Sequence, residues 1–210
     1  MKVLLAAVIG IGLESYAWWR VSKGASVWAW MTPVLASLGV ASLIAGPPPW
    51  SPEVDASTAL AVGTAIGLAL YVATRIFFVI AGRWDLLRRH SVAMYERQGG
   101  LSLGVALVLS IGFSVPGEEL FWRGFVQLEL VDALDGASVL AAILAWGAFV
   151  FANAFSRNLA IAAGAVVGGA VWCALFWWTG GVAACLACHV VWTGLMLAFP
   201  VVRLSSEPTA

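Results

Sequence analysis

Two adjacent carboxylates and an arginine, Glu118, Glu119 and Arg123, follow a long apolar run in the stretch SVPGEELFWRGF. Pro116 suits the first turn of a helix, so both carboxylates fall where the helix dipole favours negative charge. Residues four apart share a helix face, so Glu119 can reach Arg123, whereas Glu118 points about 100° away. The spacing therefore predicts a Glu119–Arg123 ion pair. It leaves Glu118 without a cationic partner in an apolar setting that suits a general base.

Three further polar residues lie deep in apolar segments. His189 shares a helix face with Thr193 in HVVWT, and Asn153 lies in WGAFVFANAF. An imidazole, a hydroxyl or an amide can each donate a hydrogen bond to a developing oxyanion. Ionisable residues inside a membrane span are costly and favour a functional role. Ordinary hydrogen bonding between helices is the alternative for His189 and Asn153.

A competing pattern, C-x-x-C-H, is formed by Cys185, Cys188 and His189 and is typical of c-type haem attachment. Met196 or His90 would be the second axial ligand. The apolar surroundings disfavour this alternative, and the cysteines suit a buried apolar role. A second cysteine pair for zinc is absent from the sequence, and Glu118 with His189 alone would be a poor zinc shell. We therefore expect neither a metal nor a cofactor.

The elements that position these residues are expected to be membrane helices, since 62% of the 210 residues are hydrophobic and only 10% are charged. The predicted fold is an all-α polytopic transmembrane bundle of about seven spans, within a range of six to eight. The formal charge is zero, so nothing favours a nucleic-acid partner. The spans are expected at roughly 3–19, 26–45, 57–81, 101–130, 137–155, 159–178 and 182–202.

The polar stretch 83–98 predicts an amphipathic interfacial helix. Cations concentrate in alternate loops, at Arg20 and Lys23, in 83–97, at Arg157 and at Arg203, which predicts a multi-pass inner-membrane protein with a cytoplasmic C-terminus. Glu14 interrupts the first apolar run, so this run is expected to be a retained span rather than a signal peptide. We divide the chain into N-terminal membrane helices (1–100), a catalytic core (101–203) and a tail (204–210).

The stretch EELFWRG resembles the EExxxR motif of the CAAX prenyl protease and bacteriocin-processing (Abi) family of glutamic intramembrane proteases. That family continues with FxxxH and then HxxxN or HxxxD on separate helices. Here His189 begins the third motif, with Thr193 where Asn or Asp is usual. In the second motif, Phe149 is followed by Asn153 in the histidine position. The resemblance covers about residues 101–200.

The resemblance implies an intramembrane endopeptidase in which a water activated by Glu118 attacks a peptide carbonyl. Glu119 and Arg123 would fix the base, and His189 with Asn153 or Thr193 would stabilise the oxyanion. The substrate would be a membrane protein or lipid-anchored peptide in the bilayer. The expected depth of Glu118 and His189 lies nearer the outer leaflet, which favours a C-terminal sorting anchor, as in myxosortase-like relatives. Alternatives are a decayed family member acting as an immunity or scaffold protein, a transporter, or the haem protein above.

Overall fold

The fold, taken from a computed structural model that describes residues 2–81, 84–96, 100–136 and 138–202, has helices as its regular secondary structure. Helices make up 83% of it, and the described residues form no strand. The helices are α1 (Lys2–Ser22), α2 (Val27–Ala45), α3 (Ala56–Ala81), α4 (Asp85–Glu96), α5 (Leu103–Ala133), α6 (Ser138–Ala154), α7 (Leu159–Thr179) and α8 (Ala183–Ala198). The tail at 204–210 and the cations Arg83, Arg97 and Arg203 lie outside the described residues.

Four of these helices, α2, α3, α5 and α7, are long and apolar enough to cross a membrane. The helices α6 and α8 are apolar but shorter, and α1 has 21 residues interrupted by Glu14 and Arg20. The all-α polytopic bundle predicted from the sequence is confirmed. The count of seven spans stays a prediction, as do the domain divisions. The segment 83–98 contains the short helix α4, as its mixed pattern predicts.

The helix α5 is one continuous run rather than a span followed by a separate helix, but it contains two wider π-helical turns. These are Ser110–Ser114 and Trp122–Gln127, and they flank the regular segment Val115–Phe121 that carries both carboxylates. Proline lacks an N–H and its ring clashes with the carbonyl four residues earlier, so a widened turn before Pro116 relieves the clash. Such π-turns frequently occur at functional sites.

Two close helix crossings position the segments that carry polar residues. A Cβ atom added to Gly117 of α5 would lie 2.2 Å from the carbonyl oxygen of Leu35 in α2. One added to Gly67 of α3 would lie 2.6 Å from the carbonyl oxygen of Cys188 in α8. Small residues permit such backbone contact between membrane helices. The crossings fix the residues next to Gly117 and Cys188, which are Glu118 and His189.

Short connections close both ends of the bundle. On one side, Val182 and Ala183 at the start of α8 donate backbone hydrogen bonds to the carbonyls of Pro49 and Trp50, at 3.1 Å and 2.9 Å. On the other side, hydrogen bonds join α4 to the start of α7 and to the last turn of α8. The Nδ2 of Asn158, which caps α7, donates to the His90 carbonyl at 2.8 Å, and the Tyr95 hydroxyl donates to the Met196 carbonyl at 3.0 Å.

Candidate active site

The three predicted residues of the first motif and His189 lie together in the interior. Arg123 Nη1 lies 3.2 Å from Glu119 Oε1, so the ion pair expected from the spacing is present. The same Glu119 oxygen lies 2.7 Å from His189 Nδ1. Glu118 Oε1 is 3.9 Å from that nitrogen, beyond direct hydrogen bonding. Glu119 therefore joins α5 to α8, while Glu118 is left free to bind something else.

Burial separates the two carboxylates as well. The side chains of Glu119 and Arg123 are fully buried, whereas 13% of the Glu118 side chain is exposed. Arg123 lies over the Phe149 ring at 4.5 Å and the Trp172 ring at 5.2 Å, so aromatic faces hold the part of the guanidinium that the carboxylate leaves uncovered. Glu119 and Arg123 form an internal strut, and Glu118 faces open space.

The imidazole of His189 is held from two directions. Its ring stacks on Trp172 with centroids 3.6 Å apart, and its Nδ1 meets Glu119. Because Arg123 keeps Glu119 an acceptor, we assign the proton of neutral His189 to Nδ1. Nε2 then carries the free lone pair. His189 can therefore donate from Nε2 only when it carries a second proton.

Asn153 does not have the donor capacity expected of it. Its Nδ2 donates to Glu14 Oε1 at 2.9 Å and to the Phe149 carbonyl at 3.0 Å. Both neighbouring oxygens are acceptors, so the amide nitrogen must face them, and both of its hydrogens are used. In this arrangement Asn153 has no amide hydrogen left for an oxyanion, and its predicted part in the site stays a prediction. Its Oδ1 is the atom that remains available.

Glu14 of α1 is the site residue that sequence reasoning missed. It is fully buried, and it also accepts a hydrogen bond from Trp122 Nε1 at 2.8 Å. It lies close enough to Glu118 and Arg123 to interact with both electrostatically. The available signal was a lone carboxylate inside an apolar span, which favours a functional role by default. The sequence pattern alone relates Glu14 only to the distinction between a retained span and a signal peptide.

Two cavities meet at Glu118 and His189. The larger, about 450 Å³, lies between α3, α4, α7 and α8 and is lined almost wholly by apolar side chains, with Asn153 also on its wall. The smaller, about 220 Å³, lies towards α1 and α2 and includes Thr193. Thr193 makes no side-chain hydrogen bond within the described residues, so its hydroxyl is free to donate.

The larger cavity reaches Leu87 of α4, and Met94 of α4 lines both cavities. The flanking cations predict that α4 lies on the cytoplasmic side. Access from this side would differ from the outer-leaflet depth that hydropathy predicts. The difference arises because the packing of α4 against α7 and α8, which the apolar pattern of single spans does not encode, determines where the cavity extends.

Among the described residues, Glu118, Glu119 and His189 form a group that could hold a metal ion, with ligand atoms within 4.8 Å of one another. The sequence indicated only Glu118 and His189 as possible ligands, so the donor set is larger than expected. Glu119 Oε1 already contacts Arg123 and His189, whereas its buried Oε2 has no hydrogen-bond partner among the described residues. The metal-free expectation stays a prediction.

The haem alternative does not suit this geometry. The side chains of Cys185 and Cys188 have no exposed surface, and Cys185 Sγ contacts the Val182 carbonyl at 3.1 Å. Both cysteines are free thiols. His189 is enclosed by Trp172 and Glu119. The buried thiols offer no exposed surface for haem attachment, which favours an ordinary packing role for the two cysteines.

The fold and the site define a polytopic helical membrane protein with a buried Glu–Glu–Arg–His cluster contributed by two helices. Residues 100–195 match the family model described as type II CAAX prenyl endopeptidase, Rce1-like, so this part of the chain is similar to that family. The match indicates similarity to membrane proteases. The chain has no significant match among curated proteins or among solved structures.

Proposed function

We propose that this chain is an intramembrane endopeptidase in which Glu118 activates water against a peptide bond. One observation carries the proposal. Glu118 is the carboxylate of the cluster that opens into a cavity, while its neighbour Glu119 is fully buried and its Oε1 contacts both Arg123 and His189. A water placed beside the 3.9 Å gap can contact both Glu118 and His189.

The reaction proceeds in two proton transfers. Glu118 takes a proton from the water while the water oxygen forms a bond to the peptide carbonyl carbon. The carbonyl oxygen becomes an oxyanion, which Thr193 meets with its free hydroxyl and His189 meets when its imidazole is protonated. When the C–N bond breaks, Glu118 returns its proton to the leaving amine. Glu119 and Arg123 take no proton and hold His189 in place.

The shape and lining of the cavity support one class of substrate. Its apolar wall and its position among membrane helices suit a peptide whose anchor is an acyl, prenyl or helical apolar group. Extension towards α4 favours an anchor presented from the cytoplasmic side. A C-terminal sorting anchor entering from the other leaflet remains an alternative substrate, and paired peptides with the two kinds of anchor will distinguish them.

The test uses the purified full chain in lipid nanodiscs with both peptides. Wild type should cleave one of them, and Glu118→Gln should reduce kcat by at least about a hundredfold. Glu129→Gln is the matched control, since Glu129 lies on the same helix outside the two cavities. Equal turnover by wild type and Glu118→Gln would overturn the proposed role.

A metal-assisted version of the same hydrolysis is favoured by the three clustered donors. A chelator separates the two mechanisms. The water-activating glutamate predicts unchanged turnover after exhaustive chelation. Loss of activity that is restored by adding back one divalent metal would replace it with the metal mechanism.

A non-enzymatic scaffold or immunity role is favoured by one observation, the asparagine at the histidine position of the second motif. Under this alternative, a deletion strain would be complemented equally by wild type and Glu118→Gln. Complementation by wild type alone would support the protease.

A further inference from the structure

The buried carboxylate of Glu14 belongs to α1, far in sequence from the matched segment 100–195, yet it accepts hydrogen bonds from Trp122 and Asn153 of that segment. Its two oxygens bind different helices. Oε2 accepts from Trp122 Nε1 in α5, next to Arg123, and Oε1 accepts from Asn153 Nδ2 in α6. A carboxylate placed in the interior of a membrane bundle is costly unless such bonds compensate it.

The consequence for Asn153 is a fixed orientation. With Nδ2 directed at Glu14 and at the Phe149 carbonyl, the amide turns Oδ1 away from both. Asn153 lines the larger cavity together with Glu118 and His189. The oxygen that is presented there can accept a hydrogen bond but cannot donate one.

We propose that Glu14 is a positioning residue of this site, which holds Asn153 so that its Oδ1 accepts a hydrogen bond from the water that Glu118 activates. The inference rests on the proposed function. The water then donates one hydrogen to Glu118 and the other to Asn153, which leaves a lone pair on its oxygen for the carbonyl carbon. Glu14 itself contacts neither water nor substrate.

The first variant, Glu14→Gln, keeps the shape of the side chain but replaces one acceptor by an amide N–H₂. Its oxygen can satisfy either Trp122 or Asn153, and its nitrogen faces the other donor. We expect kcat to fall about ten- to a hundredfold with KM changed less than about twofold, because Asn153 is misdirected while the apolar cavity is intact.

The second variant, Asn153→Asp, places two carboxylates against each other and should lower kcat more. The double variant Glu14→Gln with Asn153→Asp restores the hydrogen bond with its direction reversed. The amide at position 14 then donates to the carboxylate at position 153. The double variant should recover about tenfold over Asn153→Asp alone. If the single variants only disturbed packing, the double variant would show the sum of both losses in kcat and no recovery. The matched control is Ser15→Ala, which alters a buried neighbour on α1 whose hydroxyl has no hydrogen-bond partner among the described residues.

The outcomes separate the two proposals. If Glu118→Gln abolishes turnover but Glu14→Gln behaves like Ser15→Ala, the role of Glu14 is overturned and the peptidase stands. If Glu118→Gln does not lower turnover, the proposed function fails. The nitrogen-labelled side-chain resonances of Trp122 and Asn153 then decide whether Glu14 holds them. Both should move in Glu14→Gln and stay in Ser15→Ala, and unchanged resonances would overturn the contact itself.

Discussion

One helical turn of α5 gives two identical side chains different environments. Glu119 points at Arg123 and is buried with it, while Glu118 points into a cavity. This division was predictable, because residues four apart share a face and adjacent residues do not. The position of Glu14 was not predictable, since its partners Trp122 and Asn153 lie more than a hundred residues away in sequence.

The buried pair gives a stability prediction. Arg123→Met leaves Glu119 buried without its counter-ion, and removing one member of such a pair costs about 3–5 kcal/mol. Unfolding in detergent, followed by circular dichroism, should show the loss. Adding Glu119→Gln to Arg123→Met should recover part of it, because the unpaired charge is gone.

The control for this prediction is the exposed pair between Arg88 and Asp85, whose side chains are 56% and 78% exposed. Arg88→Met should change stability by less than about 1 kcal/mol, since exposed ion pairs contribute little. If Arg123→Met unfolds no earlier than Arg88→Met, the buried strut does not stabilise the fold.

Helix crossings fix the positions of the side chains in the candidate active site. The regular segment between two π-turns, and the backbone contact at Gly117, fix the direction of Glu118. Pro116 and Gly117 signalled an irregularity in the sequence, but hydropathy alone cannot distinguish a widened turn from a break. The partner backbone in α2 is a tertiary feature with no local signal.

A matched glycine pair on α5 tests this account. Gly117→Ala puts a Cβ atom into the α2 backbone at Leu35, whereas a Cβ atom at Gly112 meets nothing within 4 Å. We expect Gly117→Ala to reduce kcat by about a hundredfold, because the carboxylate is displaced by roughly an ångström. Peptide cleavage in nanodiscs measures it, and Gly112→Ala should retain the wild-type rate. Equal activity of the two variants would contradict the role of the crossing.

The start of α3 gives a prediction for pH. Asp55 Oδ1 accepts from the Ser57 hydroxyl at 2.5 Å and from the Thr58 N–H at 2.9 Å, and these bonds lower the pKa of Asp55 to about 2. The folded value lies below the unfolded value of about 3.9, so the stabilisation is complete above that pH and is lost as the pH falls through about 2. Asp55→Ala should therefore have a lower melting temperature than wild type at neutral pH, and the difference should shrink in acid. A difference in melting temperature that is independent of pH would argue against a stabilising role of the Asp55 carboxylate.

At the scale of the whole molecule, the bundle places an apolar cavity behind α4 and keeps the opposite end closed by the contacts of Pro49 and Trp50 with α8. The helical membrane class and the bounds of most helices could be predicted, since apolar runs separated by polar or proline-rich breaks are a strong signal. The side from which the cavity opens could not, because it depends on how α4 packs against α7 and α8.

The orientation of the bundle has its own test. The native cysteines are buried, so a cysteine introduced at an exposed position reports its own side of the membrane. The predicted orientation puts Glu53 outside and Arg157 in the cytoplasm. In intact cells, a membrane-impermeant maleimide should label Glu53→Cys and should label Arg157→Cys only after lysis. The reverse labelling pattern would show that the bundle has the opposite orientation and that the cavity opens to the outer side.

The most direct test of the central claim is a single turnover of the wild-type chain in oxygen-labelled water, analysed by mass spectrometry beside Glu118→Gln and Glu129→Gln. Direct attack by a water activated at Glu118 predicts one labelled oxygen in the new C-terminal carboxylate for wild type and Glu129→Gln, and no product for Glu118→Gln. Labelled product formed by Glu118→Gln at the wild-type rate would show that another group activates the water.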